Sequence, residues 1–413
     1  MKKPEIKIPD CKRFNGYKPC FPNKLCQEEC VKPDAPFGKK ILIINLDAMG
    51  DVLMTTAQLG PVKRKYPESY VAWVTLKSAA PLLFNNPFID DIFQWDTESL
   101  LIIGEMSFDV VMNADKSRRS AALAMKVKAK EKLGFGLNEN GQIIPLNEEA
   151  SYNFRLGIDD YLKFRINDRT GQDILAETFK LHYDQDEYVL RMTDEEVQHT
   201  SWYKRSKGIA ETDTVIGFNT GCSDLFPNKK MTIDQHIELI EKLAQHGNIK
   251  LLLLGGKEDA EQNEIIYSRA TERNPDLAAR LFKTPTDEGL RNGIVYENAA
   301  DIVITGDSYG MHLAIALRKY VLVWFGVSCW SEIDLYGRGE KFISYDDAPS
   351  KQILYCSPCW KKVCPHNLEC IKLIDLEAIY RKTMEYVETL SHAKRNDRKS
   401  RLAGAFDTVS KQR

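Results

Sequence analysis

Asp307-Ser308-Tyr309-Gly310-Met311-His312-Leu313-Ala314 packs an acid, a hydroxyl, a glycine and a histidine into one short run. It joins an apolar run at 300–305, which reads as a buried strand, to a helical one at 313–317. A strand-to-helix turn of this kind presents free backbone N–H groups and the positive helix end, and so can hold a phosphate. A second turn, Leu46-Asp47-Ala48-Met49-Gly50-Asp51, repeats the plan after the apolar run 40–46. It sets the carboxylate of Asp51 at the start of a helix, where an ordinary capping aspartate would look the same. Gly60-Pro61 is expected to kink or restart that helix. The chain has no G-x-G-x-x-G, which speaks against a nicotinamide oxidoreductase.

Cysteine is the second chemical signal. Eight of the ten cysteines fall into two clusters. Cys356, Cys359, Cys364 and Cys370 follow C-x2-C-x4-C-x5-C, and Cys11, Cys20, Cys26 and Cys30 follow C-x8-C-x5-C-x3-C. Short spacings of this sort in a reducing compartment favour metal thiolates over disulfides. Four thiolates suit zinc, and iron–sulfur clusters also use four cysteines. Such sites are structural, because four thiolates leave no open coordination position. His366 lies inside the second cluster and could replace one ligand. Cys222 and Cys329 stand apart and read as buried small residues.

The elements that must position these groups follow from the pattern. A chain of 413 residues exceeds what one core usually serves, so two domains are expected. A formal charge of −2 gives no sign of nucleic-acid binding. No apolar run reaches the ~18 residues of a membrane span, and the first residues lack a secretory apolar core, so a cytoplasmic location is expected. Residues 1–37 form a cysteine-rich N-terminal segment. Residues 38–190 alternate strands (70–76, 91–95, 108–113, 132–136) with helices (152–164, 172–181). A polar interdomain segment fills 191–212. Residues 213–391 alternate again, with strands at 214–218, 250–254, 302–305 and 321–325 and helices at 233–245, 259–270 and 376–390. Residues 392–413 form a basic tail that should be flexible and could also attract an anionic membrane surface. The result is an α/β protein of two doubly wound halves facing a cleft.

In this order the motifs resemble glycosyltransferase family 9, the ADP-heptose–lipopolysaccharide heptosyltransferases with the two-domain GT-B fold. The likeness runs over roughly residues 39–390. It rests on L-x-x-M-G-D at 46–51, residues 81–91, GFNTGCSDLFPNKK from Gly217, LLLLGGKED from Leu251, D-S-Y-G-M-H-L-A from Asp307 and W-F-G-V-S from Trp324. The resemblance implies that Asp51 is the base taking the acceptor's proton, while Asp47 fills a position where relatives carry a small hydroxyl residue. It implies that Lys229, rather than its neighbour Lys230, neutralises the departing diphosphate, so no catalytic metal is expected. Thr220 and Ser223 would donate hydrogen bonds to the phosphates. Ser308, Gly310 and the backbone from Met311 to His312 would cradle them. Asp307 would fix that turn or touch a sugar, and Glu258 would bind a ribose hydroxyl. Tyr309 departs from the glycine usual there. Several relatives have a comparable C-terminal cysteine group, some of them holding iron.

The expected function is thus inverting transfer of a sugar, heptose from ADP-heptose first, to a lipopolysaccharide-type acceptor at the inner membrane face, with only peripheral membrane contact. Lys116, Arg118 and Arg119 are candidates for phosphates on a lipid acceptor. Two other readings stand beside it: a noncatalytic nucleotide-binding assembly protein, and a related transferase acting on a protein acceptor.

Overall fold

The computed structural model of the 413-residue chain describes residues 8–23, 25–26, 36–222, 226–345 and 353–410, and of residues 393 and 395–410 the backbone only. Cys30 and Ser223 lie outside the described residues. The chain divides into two units, residues 1–159 with 171–191 and residues 160–170 with 192–413.

The first unit holds β1 (Lys40–Ile44), β2 (Tyr70–Thr75), β3 (Asp91–Gln94), β4 (Ser107–Asn113), β5 (Lys128–Leu137) and β6 (Ile143–Pro145), in the sheet order 3-2-1-4-5-6. All pairings are parallel except β5 with β6. The continuous apolar sequences of β1 and β2 are what parallel strands covered by helices on both faces require. Ile41, Leu42, Ile43, Ile44 and Trp73 are accordingly buried. The helical run after β1 breaks where expected. Helix Met49–Thr55 passes into a 3-10 turn, Thr56–Gln58, and a new helix, Leu59–Lys65, begins with Pro61 in its first turn. There a missing N–H costs nothing.

The second unit repeats the plan with β7 (Thr214–Asn219), β8 (Ile249–Leu254), β9 (Leu281–Lys283), β10 (Ile302–Gly306), β11 (Tyr320–Phe325) and β12 (Gly339–Ile343). Its order, 12-11-10-7-8-9, reverses between β7 and β10 just as the first sheet reverses between β1 and β4. Ligands of open α/β sheets bind at the carboxyl ends of the strands flanking such a reversal. Every residue of β7 and β10 is buried.

Some elements differ from the sequence reading. The helix expected over 152–164 is Ser151–Leu156, stopped at Gly157, followed by a π-helical turn at Leu162–Ile166. Much of the interdomain segment is helix Asp194–Ser206, closed by a Thr193/Glu196 capping box. The last helix does not stop at 390 but runs Leu376–Ser410, since no helix breaker intervenes before Gly404. Lys394, expected in a flexible tail, donates to the Asp213 carbonyl at 2.7 Å and pairs with Asp301 at 3.0 Å. The cysteine-rich segment is tied to the first unit by Lys12–Asp90 at 2.7 Å.

Candidate functional site

In the second unit β7 and β10 are adjacent, so the segments that leave their ends emerge side by side. The chain after β7 reaches the 3-10 turn Pro227–Lys229, and the chain after β10 enters helix Tyr309–Ala316. Lys229 Nζ lies 2.8 Å from Asp307 Oδ2, and both side chains are 13% exposed. The Trp324 indole N–H donates to the Lys229 carbonyl at 2.9 Å and fixes the turn. The ammonium also sits 4.5 Å from the ring centre of Trp360. Burial alone would raise the Asp307 carboxyl, but Lys229 and His312 more than offset it and hold it below the usual carboxylate range. Burial pushes the His312 imidazole down to about 4 against the pull of Asp307, so it is neutral near pH 7.

Ser308 is the N-cap of helix Tyr309–Ala316, yet its hydroxyl makes no capping hydrogen bond. The His312 amide donates to the Ser308 carbonyl at 3.4 Å, and the helix leaves the N–H groups of Tyr309, Gly310 and Met311 without intrahelical acceptors. Asp307, Lys229, Ser308 and these amides therefore make an anion cradle with one cation.

The remaining sequence-derived residues divide. Met311 is fully buried, so its side chain belongs to the core and only its amide faces the cradle. Gly310 is required by packing: an added Cβ would lie 2.3 Å from Asn219 Nδ2. Thr220, expected to donate to a phosphate, is buried, and its hydroxyl donates to Asn263 Oδ1 at 2.5 Å. Glu258 is exposed on the turn Lys257–Asp259. The neighbouring Asp259, not singled out from sequence, reaches inward instead. It accepts from the Gly256 amide at 2.9 Å and crowds Gly221, where a Cβ would lie 1.5 Å from Oδ1. The sequence reading also missed Glu297, which is buried beneath the cradle and accepts from Asn219 Nδ2 at 3.2 Å. Burial pushes its carboxyl up to about 8. Tyr309 turns its buried hydroxyl toward this acid, and no hydrogen-bond partner for it occurs among the described residues.

In the first unit the reversal lies between β1 and β4. Asp51 is the third residue of helix Met49–Thr55, and the N-cap is Ala48, so Asp51 is not a capping residue. The Asn45 amide donates to the Asp51 carbonyl at 3.3 Å and to Thr55 Oγ1 at 2.8 Å. Asp115, after β4, is buried and accepts from the amides of Leu46 at 3.1 Å and Ser117 at 2.6 Å. Asp47 is exposed as a residue, so water tempers the burial that pushes its carboxyl up. Asp115 adds to that push, Arg119 and Lys116 oppose it, and the balance lies at about 6. Each basic residue expected to meet acceptor phosphates spends a donor on the fold: Lys116 on the Asn153 carbonyl, Arg118 on that of Gly141, Arg119 on that of Leu46.

The nine described cysteines are free thiols. Cys222 donates to the Phe226 carbonyl, and Cys329 is buried. Burial and the facing thiols of Cys356, Cys364 and Cys359 push Cys370 up to about 12, and burial with Cys359 and Cys364 raises Cys356. Cys364 Sγ accepts from the amides of His366 at 3.3 Å and Leu368 at 3.4 Å. Among the described residues, no three His, Cys, Asp or Glu side chains already stand as a metal-holding group, in this cluster or around Cys11, Cys20 and Cys26. The His366 ring lies against the Tyr355 hydroxyl, 3.1 Å from Nε2.

Comparison with known proteins agrees with this fold. The model of glycosyltransferase family 9 (heptosyltransferase) matches residues 102–367. Lipopolysaccharide heptosyltransferase 1 of Campylobacter coli is 26% identical over 317 residues, which span 70% of this chain and 84% of that one. The structure of E. coli ADP-heptose LPS heptosyltransferase II superposes with a TM-score of 0.59 at 17% identity, covering 85% of this chain and 99% of the other. E. coli heptosyltransferase WaaC, solved with ADP-2-deoxy-2-fluoro heptose, gives 0.54 at 14% identity, covering 84% and 99%.

Proposed function

From the premise that this chain belongs to glycosyltransferase family 9 and shares the GT-B fold, we propose that it transfers a heptose from ADP-heptose, with inversion, to a lipopolysaccharide-type acceptor. The donor follows its relatives' ligands, ADP and an ADP-heptose analogue. The observation that carries the reading is the Lys229–Asp307 pair at the mouth of the β7/β10 reversal. Asp307 holds Lys229 in place and the open first turn of helix Tyr309–Ala316 supplies amides, so the donor's diphosphate meets a cation and N–H donors together. As the bond from the anomeric carbon to the diphosphate breaks, negative charge grows on the leaving oxygen. Lys229 stabilises that charge more than it stabilises bound donor. The acceptor oxygen attacks the opposite face of the anomeric carbon, and Asp51 takes its proton. Lys229 keeps Asp307 ionised, and His312 beside them, being neutral, adds no second charge.

The four cysteines of residues 356–370 fit a structural zinc or iron ion by donor chemistry. Their thiols act on one another, and Cys364 already accepts two backbone N–H groups, as a thiolate ligand would. We assign the ion a role in holding this loop and no part in the reaction. A cytoplasmic protein working at the inner membrane surface suits this acceptor, and no described helix is long and apolar enough to cross a membrane.

Lys229→Ala tests the reading. Turnover should fall about 100-fold, by analogy with one lost oxyanion donor at ~3 kcal/mol. Donor KM should change far less. Lys230→Ala should keep near-parental turnover, and equal losses in the two variants would show that the wrong lysine carries the role.

A further inference from the structure

Between Cys359 and Cys364 the cysteine loop carries Trp360, whose ring centre lies 4.5 Å from Lys229 Nζ. Phe226 meets that ring edge-on at 4.9 Å and itself lies 5.6 Å from the same ammonium. With Asp307 at 2.8 Å, the Lys229 head is held by one carboxylate and two aromatic rings. The loop is fastened on both sides of this box. The amides of Cys359 and Trp360 donate to the Val327 carbonyl at 3.0 and 2.8 Å, and Ser357 Oγ donates to that of Gly326 at 2.6 Å. From the other side Asn228, next to Lys229, donates to the Lys361 carbonyl at 2.6 Å.

Trp360 keeps this position against two costs. Its backbone is left-handed, with φ 50°, a conformation that bulky side chains rarely adopt. Its indole N–H is buried with no hydrogen-bond partner among the described residues. A residue that only filled space would be expected to avoid both, whereas strain and orphaned donors collect where function over-determines the geometry. A tryptophan face attracts an ammonium through its negative quadrupole. We propose that Trp360 is a positioning residue that aims Lys229 at the donor's diphosphate, which makes the four-cysteine loop a working part of the donor site. The proposal rests on the role given to Lys229 above.

The test compares Trp360→Leu, Trp360→Phe, Lys229→Ala and the double variant Lys229→Ala/Trp360→Leu by kcat, donor KM and melting temperature. Leucine keeps apolar bulk without a ring face, and phenylalanine keeps a face without the N–H. Trp360→Leu should lower kcat about 10-fold with a smaller change in KM. Trp360→Phe should recover most of that loss, and the double variant should be no slower than Lys229→Ala. Parental turnover in Trp360→Leu, or the same loss on both backgrounds, would overturn the proposal and leave the lysine's role standing. Parental turnover in Lys229→Ala would instead remove the premise. If leucine does not fold, methionine, which adapts its shape to a packed site, takes its place with the same expectations.

Discussion

Two aspartates four residues apart compete for the acceptor's proton. Asp51 is not the N-cap, since Ala48 holds that place, and it contributes as an acid in a first turn. That contribution is worth ~0.3–1 kcal/mol, so Asp51→Asn should melt within a few degrees of the parent and bind ADP normally. Losing the base should slow transfer at least ~100-fold. Asp47, pushed up to about 6, is also basic enough to accept a proton. Asp47→Asn should nevertheless cost much less turnover than Asp51→Asn. Kinetics of the two variants side by side decide the matter: the reverse ranking, with loss of a pH–rate limb near 6, would make Asp47 the base.

Strand β7 meets helices Leu290–Asn298 and Ile233–Leu243 through buried groups that titrate away from their usual range. Glu297 would ionise near 4.5 in the unfolded chain and near 8 in the folded one. Its contribution is therefore complete below pH 4.5 and is lost as pH rises toward 8, at about 1.4 kcal/mol per unit. Glu297→Gln keeps a neutral partner for Asn219, so it should melt higher than the parent at pH 8 and gain little at pH 5. His236 behaves in the opposite sense. It is fully buried between Phe218 and Trp324, and neither ring nitrogen finds a partner among the described residues. Burial pushes it down to about 4, so stability is complete above pH 6.5 and falls as pH drops from 6.5 to 4. His236→Phe should resist acid better than the parent, with a smaller difference at pH 8. Melting curves at the two pH values check both variants.

For the molecule as a whole, the cysteine loop is where composition and stability meet. If Cys356, Cys359, Cys364 and Cys370 hold one ion, purified protein should contain about one zinc or iron for that site. Cys359→Ser should lower metal content and melting temperature together. Elemental analysis beside a melting curve reads both, and metal-free protein that melts like the variant-free holo form would remove the site. Because Cys359 donates its amide to the Val327 carbonyl next to β11, the damage should also reach donor turnover.

The sequence determined a great deal by periodicity and punctuation alone. Unbroken apolar runs such as Ile41–Ile44 and Ile302–Ile304 can be satisfied only by burial on both faces, and that requirement dictates parallel strands with helices between them. The loops at Asp51 and Asp307 were legible for the same reason, since polar residues directly after a buried strand have few structural uses. Short elements such as Leu281–Lys283 and Gly339–Ile343 carry too few residues to show a period and were missed. What tertiary structure decided was partnership. Thr220 donates to Asn263 and Gly310 packs against Asn219, each a partner distant in sequence, while Asp259 turns back onto the Gly256 amide and Glu258 stays exposed. Glu297 and Trp360 gave no local signal, because a glutamate in a helix and a tryptophan in a loop look ordinary until the fold buries one and lays the other on Lys229. Local pattern fixes which backbone is built, whereas hydrogen-bond partners and desolvation depend on residues brought together only when that backbone closes.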